Sequence, residues 1–257
     1  DFAQLRHLVQ QTQVTSAVWP GISSMLDFTD VTVLSFDCYG TLIDWESGIL
    51  SAIHPLCARY SIETPNRELL ALYGRFERQV QHQTPFVNYR GVLRGVAASF
   101  CSHFGIDLEN ESGGQQILAD SVGDWPPFPD TVDALTMLCS RFKLAILSNV
   151  DDDMFQLSQV HLGTEFDWVI TSEQVGSYKP SPENFHFARR IMGVDPSQHV
   201  HVAQSQFHDI APARSLGWKT VWVNRSGAAS TPLVDSQPDL EVPDLASLAR
   251  LFATPSR

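Results

Sequence analysis

The sequence predicts an α/β protein: a parallel sheet with helices on both faces, and an all-helical segment inserted after the first strand. Three observations carry that prediction. Apolar runs closed by polar turns recur in the second half of the chain, at "KLAILSNV", "FDWVITS", "HVHVAQS" and "KTVWVN". Helix-like stretches separate these runs, and strands that alternate with helices pair in parallel. Between a first apolar run at 31–36 and residue 124, by contrast, apolar residues recur at spacings of three and four, with no comparable strand.

Taken in order, residues 1–28 are polar and rich in Gln and Ser, broken by Pro20-Gly21, and are expected to be an N-terminal extension. The chain starts on Asp rather than Met, which leaves trimming or processing of its start open. Val31–Phe36 reads as a buried strand that ends abruptly on Asp37. "GILSAIHPLCARY", "NRELLALYGRFERQVQ" and "YRGVLRGVAASFCSHFG" read as helices, and "GDWPPFPD" as a proline-rich hinge after them. Beyond the hinge, "DMFQLSQVHLG" is a helix between strands. "SPENFHFARRIMG" is another, with Pro182 at a favoured first-turn position, and "IAPARSLG" is a short one closed by Gly217. The expected division is a core of 29–45 and 125–257 and a helical cap of 46–124, hinged near Asp44–Trp45 and Pro126–Pro129.

A chain of 257 residues suits one large domain, or a core domain with an insertion. Its net charge is −12 and no Lys/Arg cluster interrupts the acidity, so no nucleic-acid partner is expected. No apolar run approaches the roughly 18 residues of a membrane span, and no segment reads as a signal peptide. Cys38, Cys57, Cys101 and Cys139 lie far apart with no C-x-x-C pair, which argues against a zinc site or a disulfide framework. Reduced thiols in a cytoplasmic protein are the expectation.

Ligands of parallel α/β sheets bind at the carboxyl ends of the strands. Four strands here run into polar groups: Asp37, Ser148-Asn149, the loop "SEQVGSYK" carrying Lys179, and "QSQFHD" at 204–209. Asp37 alone would pass as a turn-former; four polar ends converging on one rim make it a candidate nucleophile. His199 and His201 share one face of a strand and are expected to be buried, hydrogen-bonded residues rather than metal ligands. The acidic run Asp151-Asp152-Asp153 is expected at a helix N-terminus, where the helix dipole favours anions.

"FDCYGTLID", "AILSNV", "SYKPSPENF" and "HVAQSQFHDIAPARSLGWKTVWVNR" resemble, in order, the four motifs of the haloacid dehalogenase superfamily, and the likeness covers about residues 31–230. Within it the chain most resembles the type II (L-2-haloacid) dehalogenase branch, which implies a Rossmann-like sheet with a helical cap. The resemblance makes Asp37 the nucleophile that forms an ester with a small 2-halo carboxylic acid, and pairs it with Lys179. Thr41, Ser148 and Asn149 would bind the substrate carboxylate or orient the nucleophile. Asp209 would position Lys179 or the hydrolytic water.

Cys38, Tyr39, Gln204, Ser205, Gln206, Phe185 and His208 fall on the substrate side by the same likeness. A cap arginine for the departing halide is placed at Arg75, with Arg78 as the alternative. The superfamily's magnesium-dependent phosphatases resemble one another in an acid where this chain has Tyr39 and a metal-ligating Asp where it has Gln204. Metal independence, with no cofactor, is therefore expected. Two positions depart from the dehalogenase pattern: Gln206 replaces an Asn, and Phe185 replaces a Tyr. A magnesium-dependent phosphatase, a hydrolase acting on another electrophile in a biosynthetic pathway, and a non-catalytic binding protein stay open as alternatives. A homodimer also stays open as an arrangement of the chain.

Overall fold

The computed structural model describes residues 27–82, 85–107, 113–225 and 236–253. Six parallel strands form one sheet in the order β3-β2-β1-β4-β5-β6. They are β1 (Val33–Phe36), β2 (Lys143–Ser148), β3 (Trp168–Thr171), β4 (His199–Ala203), β5 (Lys219–Val223) and β6 (Leu240–Val242). The α/β prediction holds. The chain builds outward from β1 on one side through β2 and β3, then crosses to the other side at β4. That reversal creates a crevice at the carboxyl ends of β1 and β4, the place where sheets of this kind bind ligands. Most of the expected extension, residues 1–26, lies outside the described residues; Phe28 packs edge-on against Phe252, ring centroids 4.8 Å apart.

After β1 the described residues form four α-helices before the chain crosses back to the sheet: α1 (Trp45–Arg59), α2 (Asn66–Gln81), α3 (Tyr89–His103) and α4 (Ile117–Ser121). No strand lies among the described residues of 46–124. The two crossings into this segment are bonded to each other: Asp44 donates its N–H to the Pro126 carbonyl at 2.8 Å, and Phe128 donates to Leu42 at 3.0 Å. Gly48 lets α1 approach the second crossing, because a Cβ there would stand 2.3 Å from the Trp125 ring.

The remaining helices cover the sheet: α5 (Thr131–Cys139), α6 (Asp152–Gln159), α7 (Ser172–Val175), α8 (Pro182–Met192), α9 (Ala211–Ser215) and α10 (Leu245–Ala253). One core joins Leu34, Phe36, Ile146, Val200 and Val202 to the helical segment and to α5 and α10. A second core, on the opposite face, packs Val33, Ala145 and Leu147 against Phe185, Ala188 and Trp218. This division follows from strand alternation, which sends successive side chains to opposite faces. No helix among the described residues is long and apolar enough to cross a membrane. All four cysteines are free thiols, and three of them are buried.

Candidate active site

The turn after β1 is built to hold a carboxylate. The Cys38 carbonyl accepts the amides of Thr41, Leu42 and Ile43, and the Gly40 amide closes on Ile43 at 2.8 Å. Gly40 takes φ +97°, which disfavours a side chain, and a Cβ there would crowd Trp45 Nε1 at 3.2 Å. Within this loop Asp37 is only 7% exposed. Its Oδ1 accepts from Lys179 Nζ at 2.9 Å, and its Oδ2 accepts from Thr41 Oγ1 at 2.8 Å. Thr41 Oγ1 in turn accepts the Gln204 amide at 2.9 Å, tying the β1 turn to the β4 loop.

Lys179 is buried and spends all three of its N–H donors. They go to Asp37 Oδ1, to the Leu147 carbonyl at 2.7 Å and to Asp209 Oδ1 at 2.6 Å. Burial alone would lower its pKa, but Asp209 and then Asp37 outweigh burial and hold it above the ordinary lysine value. Asp209 shows the converse: burial raises its pKa, yet Lys179 and His201 bring it down to about 2. For Asp37 burial dominates and raises the pKa, with Lys179 the chief opposing influence. The two carboxylates share one ammonium, and the shorter of its two contacts is to Asp209.

The sequence-predicted residues divide into three groups. Asp37, Thr41, Lys179 and Asp209 form one bonded cluster. Ser148 and His208 stand beside it. The Ser148 hydroxyl is buried without a hydrogen-bond partner among the described residues, as is Asp209 Oδ2. Unsatisfied buried groups are rare enough to mark where a ligand or water belongs. The half-buried His208 has its pKa lowered by burial, and its ring feels the charges of Asp209, Lys179, Asp37 and Arg78.

A second group shapes the site from behind. Asn149 exchanges two bonds with the Lys179 backbone, at 2.7 and 3.1 Å, and so fixes the lysine loop. Ser205 accepts the His208 amide at 3.0 Å, capping a short wide helical turn at Gln206–Ile210. The Gln204 carbonyl accepts from the Trp222 indole at 2.8 Å, and Gln206 accepts from Ser236 at 2.7 Å. Cys38 points into the core. The Tyr39 hydroxyl pairs with Ser158 at 2.9 Å.

The structure does not bring the last group to the cluster. Phe185 is fully buried in the second core, edge-on to Trp218 at 5.4 Å, because α8 turns that face toward the sheet. Arg75 is exposed and stacks over Phe76 at 5.0 Å. The inward face of α2 is set by Leu69, Tyr73, Phe76 and Val80, and Arg75 falls two residues after Tyr73, about 200° around the helix. Arg78 is also exposed, but its charge reaches both Glu77 and His208, so of the two it stands nearer the rim. What α2 presents inward instead is Tyr73 and Glu77. With Tyr89 of α3 they form a hydrogen-bonded trio at 3.0–3.2 Å.

Sequence reasoning missed three contributors. Arg225 donates to the Thr41 carbonyl at 2.8 Å and to Asp130 at 2.9 Å, and lies 3.9 Å over the Phe128 ring. Asp151 does precede α6, as the acidic run predicts, but its carboxylate also reaches across to the N-terminus of α3. There it accepts the amides of Tyr89 at 2.7 Å and Arg90 at 2.9 Å. Ser35 bridges His199 and His201 at 2.7 and 2.8 Å, and His201 continues to Asp209 at 2.9 Å. A strand serine two residues before the Asp was the available signal for this chain. It is the same parity of β1, hence the same face.

A magnesium ion bound as in the superfamily's phosphatases does not fit these residues. Hard oxygen ligands are needed beside the nucleophile. Here an amide stands at Gln204, the Tyr39 hydroxyl is engaged with Ser158, and an ammonium already joins Asp37 to Asp209.

Fold and site define the class: an α/β enzyme whose reactive groups gather where β1 and β4 part. The profile of a haloacid dehalogenase-like hydrolase family matches residues 31–217. The (S)-2-haloacid dehalogenase of Pseudomonas sp. (strain YL) is 29% identical over 232 residues, covering 86% of this chain and 94% of that one. A crystal structure of a defluorinating L-2-haloacid dehalogenase superposes with a TM-score of 0.75 at 23% identity, over 87% of this chain and 96% of that one. An L-2-haloacid dehalogenase from Xanthobacter autotrophicus, solved with chloropropionic acid covalently bound, gives 0.72 at 21% identity, over 88% and 100%. The chain belongs to the haloacid dehalogenase-like hydrolases.

Proposed function

We propose that the protein is a metal-independent hydrolase of small 2-haloacids, with Asp37 as nucleophile. The observation that carries this reading is the Asp37–Lys179–Asp209 cluster, in which Thr41 and Lys179 aim the Asp37 carboxylate while Asp209 holds the same ammonium from its other side. In the first step an Asp37 oxygen bonds to the carbon bearing the halogen while the carbon–halogen bond breaks and halide leaves with its electron pair. Lys179 and Thr41 fix the attacking carboxylate, and Ser148, with its unpartnered hydroxyl, is placed to donate to the substrate carboxylate. In the second step water adds to the Asp37 ester carbonyl, the bond between that carbon and the former Asp37 oxygen now on the substrate carbon breaks, and a 2-hydroxy acid leaves carrying that oxygen. The names of the relatives support the substrate class. The free cysteines support action in the reducing cytoplasm.

The test is a single turnover of (S)-2-chloropropionate in H₂¹⁸O with EDTA present. The product is expected to carry unlabelled oxygen, and Asp37 to acquire the ¹⁸O. Labelled product from the first turnover means that water attacks the substrate directly and removes Asp37 as nucleophile. Loss of activity in EDTA with recovery on added Mg²⁺ removes the metal-independent reading.

A further inference from the structure

The hydrogen bonds do not stop at Asp209. A buried chain runs His199–Ser35–His201–Asp209–Lys179–Asp37, with every link between 2.6 and 2.9 Å. It connects two strands on the second-core face to the rim. Such an arrangement has a cost, since each buried polar group forgoes water, and the first half of it serves no step derived so far.

We infer that His201 is a positioning residue for ester hydrolysis: it pins Oδ1 of Asp209 and leaves Oδ2 as the oxygen that takes a proton from the attacking water. This rests on the hydrolase reading above. An ionised carboxylate only accepts, so His201 Nε2 is the donor to Oδ1. Oδ1 thus receives two donors, Lys179 and His201, while Oδ2 has no partner among the described residues. The two donors do different work. A lysine ammonium on a flexible stem fixes a distance, whereas a ring N–H from a sheet residue fixes the plane of the carboxylate.

The ring itself cannot turn. Ser35 holds its Nδ1 at 2.8 Å, and the rings of Phe185 and Trp218 stand edge-on to it, each at 6.0 Å. His199 backs Ser35, its pKa lowered to about 3 by burial and then by His201, so it stays neutral and can complete the chain at any ordinary pH. The groups facing Asp209 are Lys179, His201, Asp37 and His208, and those facing His201 are Ser35, His199 and Asp209.

In the step itself, a water proton passes to Asp209 Oδ2 as the water oxygen bonds to the Asp37 ester carbon. The bond from the Asp37 carbonyl carbon to the transferred oxygen then breaks, that oxygen takes the proton back from Asp209 and leaves as the product hydroxyl, and the remaining acid proton of Asp37 leaves to solvent. Asp209 ends as it began. Turning its plane away from the water slows this step and leaves halide departure almost untouched.

The test compares His201→Leu, which removes the donor, with His201→Gln, whose amide nitrogen reaches the place of Nε2. With (S)-2-chloropropionate and rapid quench, the leucine variant is expected to release the first halide within about threefold of wild type. Its kcat is expected to fall about 10–100-fold, with the Asp37 ester accumulating in intact-protein mass spectra. The glutamine variant is expected to recover most of kcat. Equal slowing of both steps, unchanged kcat, or a glutamine variant no better than leucine overturns the inference. Should the leucine variant not fold, Ser35→Ala, which frees the ring at Nδ1, is expected to give the same split in smaller measure. Nitrogen-15 spectra of the wild-type chain supply a readout that needs no substrate: His201 Nε2 is expected to be protonated and protected from solvent exchange. An unprotonated Nε2 overturns the inference. Failure of wild type to turn over chloropropionate defeats the substrate reading instead, and the spectrum still decides whether His201 donates to Asp209.

Discussion

Asp209 and Asp151 are the same residue type, each 1% exposed, and they titrate in opposite directions. Asp209 sits at the rim beside Lys179 and His201 and is driven down to about 2. Asp151 sits where the sheet meets the helical segment, held by the amides of Arg90 and Tyr89, and burial raises its pKa despite them. Burial pushes both carboxyls up, so the opposite outcomes come from their partners. A full positive charge at hydrogen-bond distance outweighs desolvation, while two amides at a helix start offset only part of it. The rim gathers its carboxylates around a buried ammonium; the Asp151 contact is a latch, made to backbone amides, that holds α3 against the core.

The largest expected effect tests whether the rim is for chemistry. Asp37→Asn keeps the shape and the Thr41 contact but removes the nucleophile. Turnover is expected to fall by at least about 10³-fold, with an unchanged circular dichroism spectrum. Residual turnover above that level makes Asp37 auxiliary.

Lys179→Ala separates charge from shape at the same place. It leaves two buried carboxylates with no cation between them, and breaking a buried pair costs about 3–5 kcal/mol. Denaturant titration at neutral pH should show a loss in that range, alongside loss of activity. A stability change under about 1 kcal/mol would mean that the carboxylates take up a shared proton instead, as like charges in one site do.

The rim was legible in the sequence because each of its groups lies on the segment that follows a strand, and the carboxyl ends of strands in a parallel sheet share one edge. The latch was not. Asp151 reads locally as the start of α6, and only the folded chain brings it 62 residues back to Tyr89. Arg75 failed for a related reason: the helix was read correctly, but a two-residue step from Tyr73 turns a side chain to the far face. The histidine chain was read as hydrogen-bonded, yet its partner Ser35 lies 164 residues from His199. Helix α5, strand β6 and helix α10 are not evident from the sequence pattern, and β6 is the clearest case because three residues carry little periodic signal.

The buried chain from His199 to Asp209 should also shape stability in acid. His199 is lowered to about 3 from an ordinary 6.5, so the unfolded chain binds a proton there that the folded chain refuses. Its contribution is complete above pH 6.5 and is lost as pH falls toward 3, on the order of 4–5 kcal/mol as an upper bound. Asp209 adds a second loss, from its ordinary range near 4 down to about 2. His199→Phe is expected to flatten the first part of that acid limb in urea titrations and leave the second. An unchanged slope between pH 6.5 and 4 would show that the ring is already protonated in the folded protein.

The smallest effect belongs to the latch. Asp151→Asn keeps one acceptor oxygen but sets an NH₂ group against the second α3 amide, so one of the two bonds is lost. A net hydrogen bond is worth about 1 kcal/mol. The variant also loses an anion whose raised pKa makes it costly to keep ionised, which offsets part of that. The sign follows from the direction of the shift: a carboxyl raised in the folded state favours folding while protonated, and that contribution fades as pH rises through its folded pKa. Wild type minus variant stability should therefore be larger in mild acid than at pH 8. The Tyr178 hydroxyl still donates to the Val87 carbonyl at 2.7 Å and Arg90 still pairs with Asp153, so α3 stays docked. Amide exchange is expected to quicken at Tyr89 and Arg90 while the amides of β1 and β4 keep their protection. Exchange that quickens equally at the strands would show that the latch and the rim open as one unit, and the contrast between the two aspartates would then end at their titration.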